Sequence, residues 1–154
     1  ARTEPYRTYQ NLSTSTTPWV IGTGESYVFF VEKDVTINGN ITITGTGFIA
    51  FIARGNIKIA PTVGGAHTTT TPVLEGIYIT DSSFTTGLSS VAGKERLNAK
   101  GMFIANSFVM ERNLDSVNQN PRYAAEYFEY NPRLLVTMPE EMKAVPYTWQ
   151  EVAP

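Results

Sequence analysis

The sequence predicts an all-β chain folded as a small right-handed parallel β-helix, a solenoid with loop excursions and a C-terminal aromatic cap. Three observations predict this fold. Short runs alternate β-branched and polar residues, a strand motif led by glycine recurs along the chain, and only 17% of the residues are charged, against about 25% in typical domains. In such a fold, each coil stacks its short strands on those of the next coil at about 4.8 Å.

The recurring motif is a glycine followed by a short, mostly apolar run. It occurs as Gly39-Asn40-Ile41-Thr42-Ile43 and Gly55-Asn56-Ile57-Lys58-Ile59, and in looser form as Gly76-Ile77-Tyr78-Ile79-Thr80 and Gly101-Met102-Phe103-Ile104-Ala105. Unequal intervals between these strands favour a solenoid with variable loops over a hairpin meander, although Asn38-Gly39 alone is a type I′ hairpin signal. Asn40 and Asn56 then either stack in an amide ladder or serve only as turn residues.

The chain divides into three segments of one domain. Residues 1–26 form an extended polar segment that leads into the coils, residues 27–122 form the coils, and residues 123–154 form the cap. The segments contain predicted strands at 27–31, 35–37 and 41–43, predicted loops at 61–72 and 85–96, and predicted short helices at 123–129 and 139–143. Aromatic residues of the last segment are expected to cover the end coil, because its backbone edge and apolar columns would otherwise be exposed.

Composition excludes several classes of function. Without Cys there is no disulfide scaffold, thiolate metal site or cysteine nucleophile. The single histidine, His67, excludes a two-His metal site, and its place in a loop indicates a solvated side chain. We expect no cofactor and no metal. A net charge of -2 lacks the basic footprint of nucleic-acid binding, and no apolar run approaches the roughly 18 residues that insert into a membrane.

Five residues are candidates for ligand binding. Arg54 and Lys58 fall at outward positions of recognisable strands, where a polysaccharide-cleaving enzyme would place charged groups, but no second carboxylate accompanies them there. Tyr127, Tyr130 and Trp149 belong to the aromatic C-terminal segment. Their rings can stack on sugars or pack within the cap. No catalytic residue is assigned.

The stretch from Val35 to Ile59, with its Ile-Asn-Gly-Asn-Ile-Thr-Ile and Arg-Gly-Asn-Ile-Lys-Ile runs, resembles the coils of bacterial β-helical proteins, among them the bactofilins. Bactofilin coils are shorter and more even. The whole chain, which ends in Pro146-Tyr147-Thr148-Trp149-Gln150-Glu151-Val152-Ala153-Pro154, is similar to the C-terminal part of large uncharacterised secreted or surface proteins of small-genome candidate-phylum bacteria. This resemblance implies a β-helical domain outside the cell or at its surface, and it implies no activity.

We therefore expect a non-catalytic structural or adhesion module of a larger secreted bacterial surface protein. Its expected partners are the rest of that protein, other copies of the chain, or glycans. A carbohydrate-binding module is the first alternative, and it would need an exposed aromatic platform. A polysaccharide-cleaving β-helix enzyme is the second, although four coils give a stack of only about 20 Å.

Overall fold

The computed structural model describes residues 8–88 and 91–143 of the chain. Its strands form a parallel β-solenoid of about five turns, which confirms the predicted fold class. The strands are β1 (Thr8–Tyr9), β2 (Leu12–Ser13), β3 (Trp19–Ile21), β4 (Ser26–Val31), β5 (Val35–Ile37), β6 (Ile41–Ile43), β7 (Phe48–Ala53), β8 (Ile57–Ile59), β9 (Leu74–Thr85), β10 (Leu97–Val109) and β11 (Glu126–Tyr130). The helical elements are a 3-10 helix at Asp115–Val117, α1 (Arg133–Thr137) and α2 (Glu140–Lys143).

Each coil has three faces, and the strands within each face are parallel. The first face stacks β1, β4, β7 and the middle parts of β9 and β10. The second face stacks β2, β5, β8 and the ends of β9 and β10. The third face stacks β3, β6, the starts of β9 and β10, and finally β11. β9 and β10 are long because each continues around two corners.

An aromatic column runs along the interior of the first face. Phe29, Phe51, Tyr78 and Phe103 occupy equivalent positions in four successive coils. Their rings are stacked, with successive centroids 5.1, 5.4 and 5.3 Å apart. The Tyr78 hydroxyl donates a hydrogen bond of 3.1 Å to the carbonyl oxygen of Glu75, which satisfies the polar group of a fully buried side chain. This column is the centre of the apolar core.

The first coils repeat every 22 or 23 residues, a longer interval than the 16 residues between the first two copies of the sequence motif. Val35 pairs with Ile57, and hydrogen bonds between adjacent coils span the same 22 residues. The run Gly39-Asn40-Ile41 leads into the third face, whereas Gly55-Asn56-Ile57 leads into the second. The two best copies of the predicted motif are therefore not equivalent positions of successive coils, because they lie at different corners.

The two looser copies of the motif do align as predicted, since Gly101 pairs with Gly76. Gly76 has a φ of +132°, a conformation that side chains with a Cβ rarely adopt. A Cβ on Gly101 would overlap the carbonyl oxygen of Gly76. Glycine is therefore required at both positions, at Gly76 by its φ and at Gly101 by the close approach of two backbones.

A ladder of Asn and Asp side chains does form, but its members differ from the predicted pair. The side chain of Asn11 accepts a hydrogen bond of 3.2 Å from the amide of Asp34. The side chain of Asp34 accepts one of 2.9 Å from the amide of Asn56, and Asn56 accepts one of 3.3 Å from Ser83. Asn40 instead binds the loop that follows β8. The predicted stacking of Asn40 on Asn56 is thus wrong, because their corners differ.

Three long loops leave the stack at one corner, between the second and third faces. They are residues 60–73, 86–96 and 110–125, of which 89 and 90 lie outside the described residues. The loops contact one another: the ring of His67 in the first lies 5.7 Å from that of Tyr123 in the third. We call these three loops the loop lobe. Its position confirms that the excursions predicted near 61–72 and 85–96 are loops.

One buried arginine connects the loop lobe. The guanidinium of Arg112 donates hydrogen bonds to the carbonyl oxygens of Thr86 and Lys94, both at 3.1 Å, and of Ala60 at 3.2 Å. Desolvation lowers the pKa of Arg112 to about 10, while the charge of Glu126 opposes that shift. The side chain is thus still charged at neutral pH. It binds carbonyl groups of two loops that lie outside the strands.

The C-terminal segment contains a strand where a helix was predicted. Residues 126–130 form β11, which pairs along its whole length with the start of β10, so the helix predicted over 123–129 is wrong. Tyrosine and phenylalanine favour strands, and the free edge of β10 supplies a partner. The short helix predicted at 139–143 is confirmed by α2. The coils therefore extend beyond the predicted range 27–122, because β1–β3 precede this range and β11 follows it.

After β11, the chain packs against the outer side of the first face. Leu134 of α1 is almost fully buried against the outward-facing residues Phe48, Ala50 and Ile77. Met138 and Met142 pack against the same cluster. The described part of the C-terminal segment therefore covers a side of the stack, whereas Tyr147 and Trp149 of the predicted cap lie outside the described residues. Within the described ranges, no helix has the length and apolar character needed to cross a membrane.

Candidate functional site

The two predicted basic residues each bind a carboxylate of the preceding coil. Arg54 Nη1 lies 3.1 Å from Glu32 Oε2, and Lys58 Nζ lies 2.6 Å from Asp34 Oδ2. Arg54 follows the first-face strand β7, whereas Lys58 lies within the second-face strand β8. The structure does not bring the two side chains to one site. Their ion pairs instead connect neighbouring coils, and Lys58, together with the Asn56 amide, lowers the pKa of Asp34.

The predicted tyrosines lie in the last coil, on β11. Tyr127 and Tyr130 are both exposed, and the guanidinium carbon of Arg96 lies 5.9 Å from the centroid of the Tyr127 ring, within cation–π range. Side chains alternate along a strand, so Tyr127 points outward while Tyr130 lies on the same side as Phe128. The two rings therefore do not form a common platform. Trp149, the third aromatic candidate, lies outside the described residues.

The last coil leaves an apolar surface at the end of the solenoid. This surface surrounds a shallow cavity of about 390 Å³ and includes Phe103, Phe108, Met110, Phe128 and Tyr130. We call these five residues the terminal coil surface. Its ring contacts continue those of the core: the centroids of Phe103 and Phe128 are 5.0 Å apart, nearly perpendicular. The terminal coil surface is thus the open end of the core and not a separate groove.

One pair of equivalent residues shows how open this end is. Phe108 pairs with Phe84 of the preceding coil. Phe84 is fully buried, whereas Phe108 is 42% exposed. The same inward position is therefore covered in one coil and uncovered in the next.

The backbone at this end is open as well. Residues 102–109 of β10 pair with β9 on one side, and no strand of the described ranges pairs with their other edge. A free strand edge beside an apolar surface is a template for pairing with another chain. Phe128 and Tyr130, which the sequence places in the cap, are part of the coil itself and leave this edge free.

A charged column on the outside of the third face was not predicted. Glu75 pairs with Lys100, and Lys100 with Glu129, so opposite charges alternate along the stack. Lys100 Nζ lies 2.7 Å from Glu129 Oε1. The signal was present in the sequence, because Glu75 and Lys100 directly precede the aligned glycines of the looser motif. Burial, with a smaller contribution from Glu129, raises the pKa of Glu75.

Comparison of the chain with protein-family models, with curated proteins and with solved structures finds no match. The candidate surfaces therefore stand on their own geometry.

Proposed function

We propose that the chain is a non-catalytic structural and adhesion module of a larger secreted bacterial surface protein, and that it stacks end to end through its terminal coil surface. The exposure of Phe108 carries this proposal, since its equivalent in the preceding coil, Phe84, is fully buried. A further coil would cover Phe108 in the same way. The pairing of Arg54 and Lys58 with carboxylates of the neighbouring coil supports a structural role for these residues.

The proposed occupant of the terminal coil surface is the first coil of a second copy. Within the described residues, β1, β2 and β3 each pair on one side only, so the first coil also has a free edge on all three faces. Its inward residues Tyr9, Leu12 and Trp19 are apolar and only partly buried. Because all the strands run parallel, a shift along the axis brings a first coil onto a last coil with matching strand direction.

Such a contact joins different surfaces of the two copies, so it does not close and extends into a row of copies. A row of modules with continuous core and continuous strand pairing suits an extended surface structure. The adhesion part of the proposal is that this row carries the exposed polar loops and strand faces away from the cell.

Sedimentation velocity over a wide range of protein concentrations tests this function. The wild-type chain is expected to form larger species as concentration rises, and Phe108→Arg is expected to remain a monomer. Leu135→Arg is the matched control, because Leu135 is about as exposed as Phe108 but lies on α1. A wild-type chain that is monomeric throughout would contradict the proposed stacking, and so would an equal loss of assembly in the Leu135 variant.

A cysteine pair tests the geometry of the contact, since the natural chain has no Cys. Ser13 begins an outward column of the second face that Thr36, Lys58 and Thr85 continue and Val109 ends. In the proposed row, Val109 of one copy lies beside Ser13 of the next, within the Cα separation of roughly 4.4–6.8 Å that a disulfide needs. The double variant Ser13→Cys, Val109→Cys should oxidise to a ladder of oligomers, whereas each single variant should stay covalently monomeric, because the contact then brings its one cysteine beside a residue without a thiol.

A further inference from the structure

A cleft with a mixed polar and apolar lining lies at the corner between the third and first faces, where α1 packs beside the stack. Its volume is about 530 Å³, within the range of roughly 300–1,000 Å³ that is typical of small-molecule sites. β6 and the corner after it contribute Thr42 and Thr44, and α1 contributes Arg133 and Thr137. Glu75 and Lys100 of the charged column also line it. We call it the corner cleft.

Glu75 is the best-placed hydrogen-bond acceptor in the corner cleft. Its side chain is held by the amide of Ile43, which donates a hydrogen bond of 2.8 Å to Oε2. Among the described residues, no donor binds the other oxygen, Oε1. Glu75 is half-buried, so a ligand group that binds Oε1 would replace water at a partly desolvated carboxylate. Such hydrogen bonds are stronger than those between neutral groups.

The charges around the corner cleft cancel. Glu75 and Arg133 line the cleft with opposite charges, and the third charged lining residue, Lys100, is neutralised by its ion pair with Glu129. Glu75 would repel an anionic ligand, and Arg133 would repel a cationic one. The balance therefore favours a ligand without net charge.

The remaining lining indicates what kind of neutral ligand fits. A hydroxyl group both donates and accepts hydrogen bonds, and Thr42, Thr44 and Thr137 line the cleft. The hydroxyls of Thr44 and Thr137 already donate to the carbonyl oxygens of Ile21 and Arg133, so their oxygens remain as acceptors. Ile43, which is partly exposed, adds apolar surface. A ligand with several hydroxyl groups on an apolar ring matches both properties.

We propose that the corner cleft binds a neutral saccharide, with Glu75 Oε1 and the threonine side-chain oxygens as partners of the sugar hydroxyls, and with the partly exposed Ile43 against its ring. This site lies on a side of the stack and is independent of the end-to-end contact. It also differs from the predicted sugar-binding residues, because it contains none of Arg54, Lys58, Tyr127 and Tyr130.

NMR titration of the isotope-labelled full chain tests this proposal. The neutral probes are cellotriose, maltotriose and N,N′-diacetylchitobiose, and the charged probe is digalacturonate. At least one neutral sugar is expected to shift the amide signals of residues 42–47 and 133–137, and digalacturonate to bind about tenfold more weakly. The proposal is overturned if none of the neutral probes binds, or if digalacturonate binds more tightly than they do.

Two variants locate the sugar on the protein. Glu75→Gln keeps an acceptor for the Ile43 amide but removes the charge, and it should weaken binding about tenfold. Its matched control is Glu32→Gln, which removes an ion-paired carboxylate outside the cleft. Binding that is unchanged by Glu75→Gln, or weakened equally by the control, would place the sugar elsewhere and overturn the proposal.

The second variant, Thr42→Trp, fills the corner cleft without changing Glu75 and should abolish binding. Its control is Thr36→Trp, since Thr36 is also a half-buried threonine at the centre of a three-residue strand. If Glu75→Gln does not fold, the comparison of Thr42→Trp with Thr36→Trp tests the proposal without it. Full binding by a folded Thr42→Trp chain would overturn the proposal.

Discussion

The first two coils and the last three share the same three faces but differ in what joins those faces. In the first coils the corners are short, and the side chains of Asn11 and Asp34 bind backbone amides of the next coil. In the last three coils, the corner between the second and third faces lengthens into the loop lobe, where Arg112 binds backbone carbonyls. The first arrangement repeats every 22 or 23 residues, whereas Ile57 and Phe84, paired across the second face, are 27 residues apart.

The difference shows that stacking constrains the strands and leaves the corner length free. A corner of any length is stable when its backbone polar groups have partners, whether from a side-chain ladder or from one buried guanidinium. Both the corner cleft and the terminal coil surface include residues of the last two coils, where the regular repeat is lost. In repeat proteins, insertions of this kind commonly form the binding face.

The largest expected effect comes from a substitution in the apolar core that the two regions share. Phe51→Ala removes a fully buried ring from the middle of the aromatic column, and it should lower the free energy of unfolding by about 4 kcal/mol. Phe108→Ala, at the open end, should cost less than about 1 kcal/mol at protein concentrations where the chain is monomeric. Urea unfolding of both variants measures the contrast. Equal costs would show that the end is closed in solution.

The next effect separates the two kinds of corner. Arg112→Met removes the guanidinium that donates to the carbonyl oxygens of Thr86, Lys94 and Ala60, although Ala60 keeps the amide of Val63 as a donor, and it should cost about 3 kcal/mol. Hydrogen exchange should accelerate in the loop lobe and remain slow in the first coils. The control is Arg54→Met, which removes an exposed ion pair and should cost less than about 0.5 kcal/mol. Uniformly faster exchange along the chain would mean that the two regions unfold as one unit.

A smaller effect tests the ladder of the first coils. Asp34→Asn keeps an acceptor for the Asn56 amide but loses the ion pair with Lys58, so it should cost about 0.5 kcal/mol at pH 7. The pKa of Asp34 is lowered below its ordinary value of 3.8 by Lys58 and the Asn56 amide. Its stabilisation is therefore present above pH 3.8 and is lost as the pH falls through the lowered pKa. Thermal unfolding of the wild type and of Asp34→Asn, measured from pH 7 downward, should give melting temperatures that converge at acidic pH.

The smallest effect has the opposite sign and lies in the last coils. Burial raises the pKa of Glu75 above its ordinary value of 4.5, so its stabilising contribution is complete below pH 4.5 and is lost as the pH rises through the raised pKa. Glu75→Gln should therefore stabilise the chain at neutral pH, by less than about 0.5 kcal/mol. The gain should vanish below pH 4.5. A variant that is less stable than the wild type at pH 7 would show that pairing with Lys100 outweighs desolvation.

Sequence reasoning predicted the strands better than their partners. The runs at 27–31, 35–37 and 41–43 are strands β4, β5 and β6 because their period-two alternation is a local signal. Of the two roles considered for Asn40 and Asn56, stacking on each other was wrong, because the two glycine-asparagine pairs lie at different corners. The strand at 126–130 was missed because the edge of β10, on which it pairs, lies 29 residues earlier in the chain (Leu97 with Glu126).

The candidate surfaces were less predictable than the fold. Arg54 and Lys58 look alike as outward basic residues of repeated strands, yet each binds its own carboxylate on a different face. The column of Glu75, Lys100 and Glu129 depends on the register of three strands, which the glycines at 76 and 101 indicate only in part. The exposure of Phe108 could not be read from the sequence, because Phe84 is also an aromatic residue near a strand end.

The sequence by itself determined that this chain is an all-β solenoid, since alternation, scarce charge and recurring glycines are properties of neighbouring residues. Only the tertiary structure decided which strands pair, which charges meet and which end stays open. Those features depend on corner lengths, because the number of residues that a corner takes up decides which later residue pairs with a given residue of the coil beneath it.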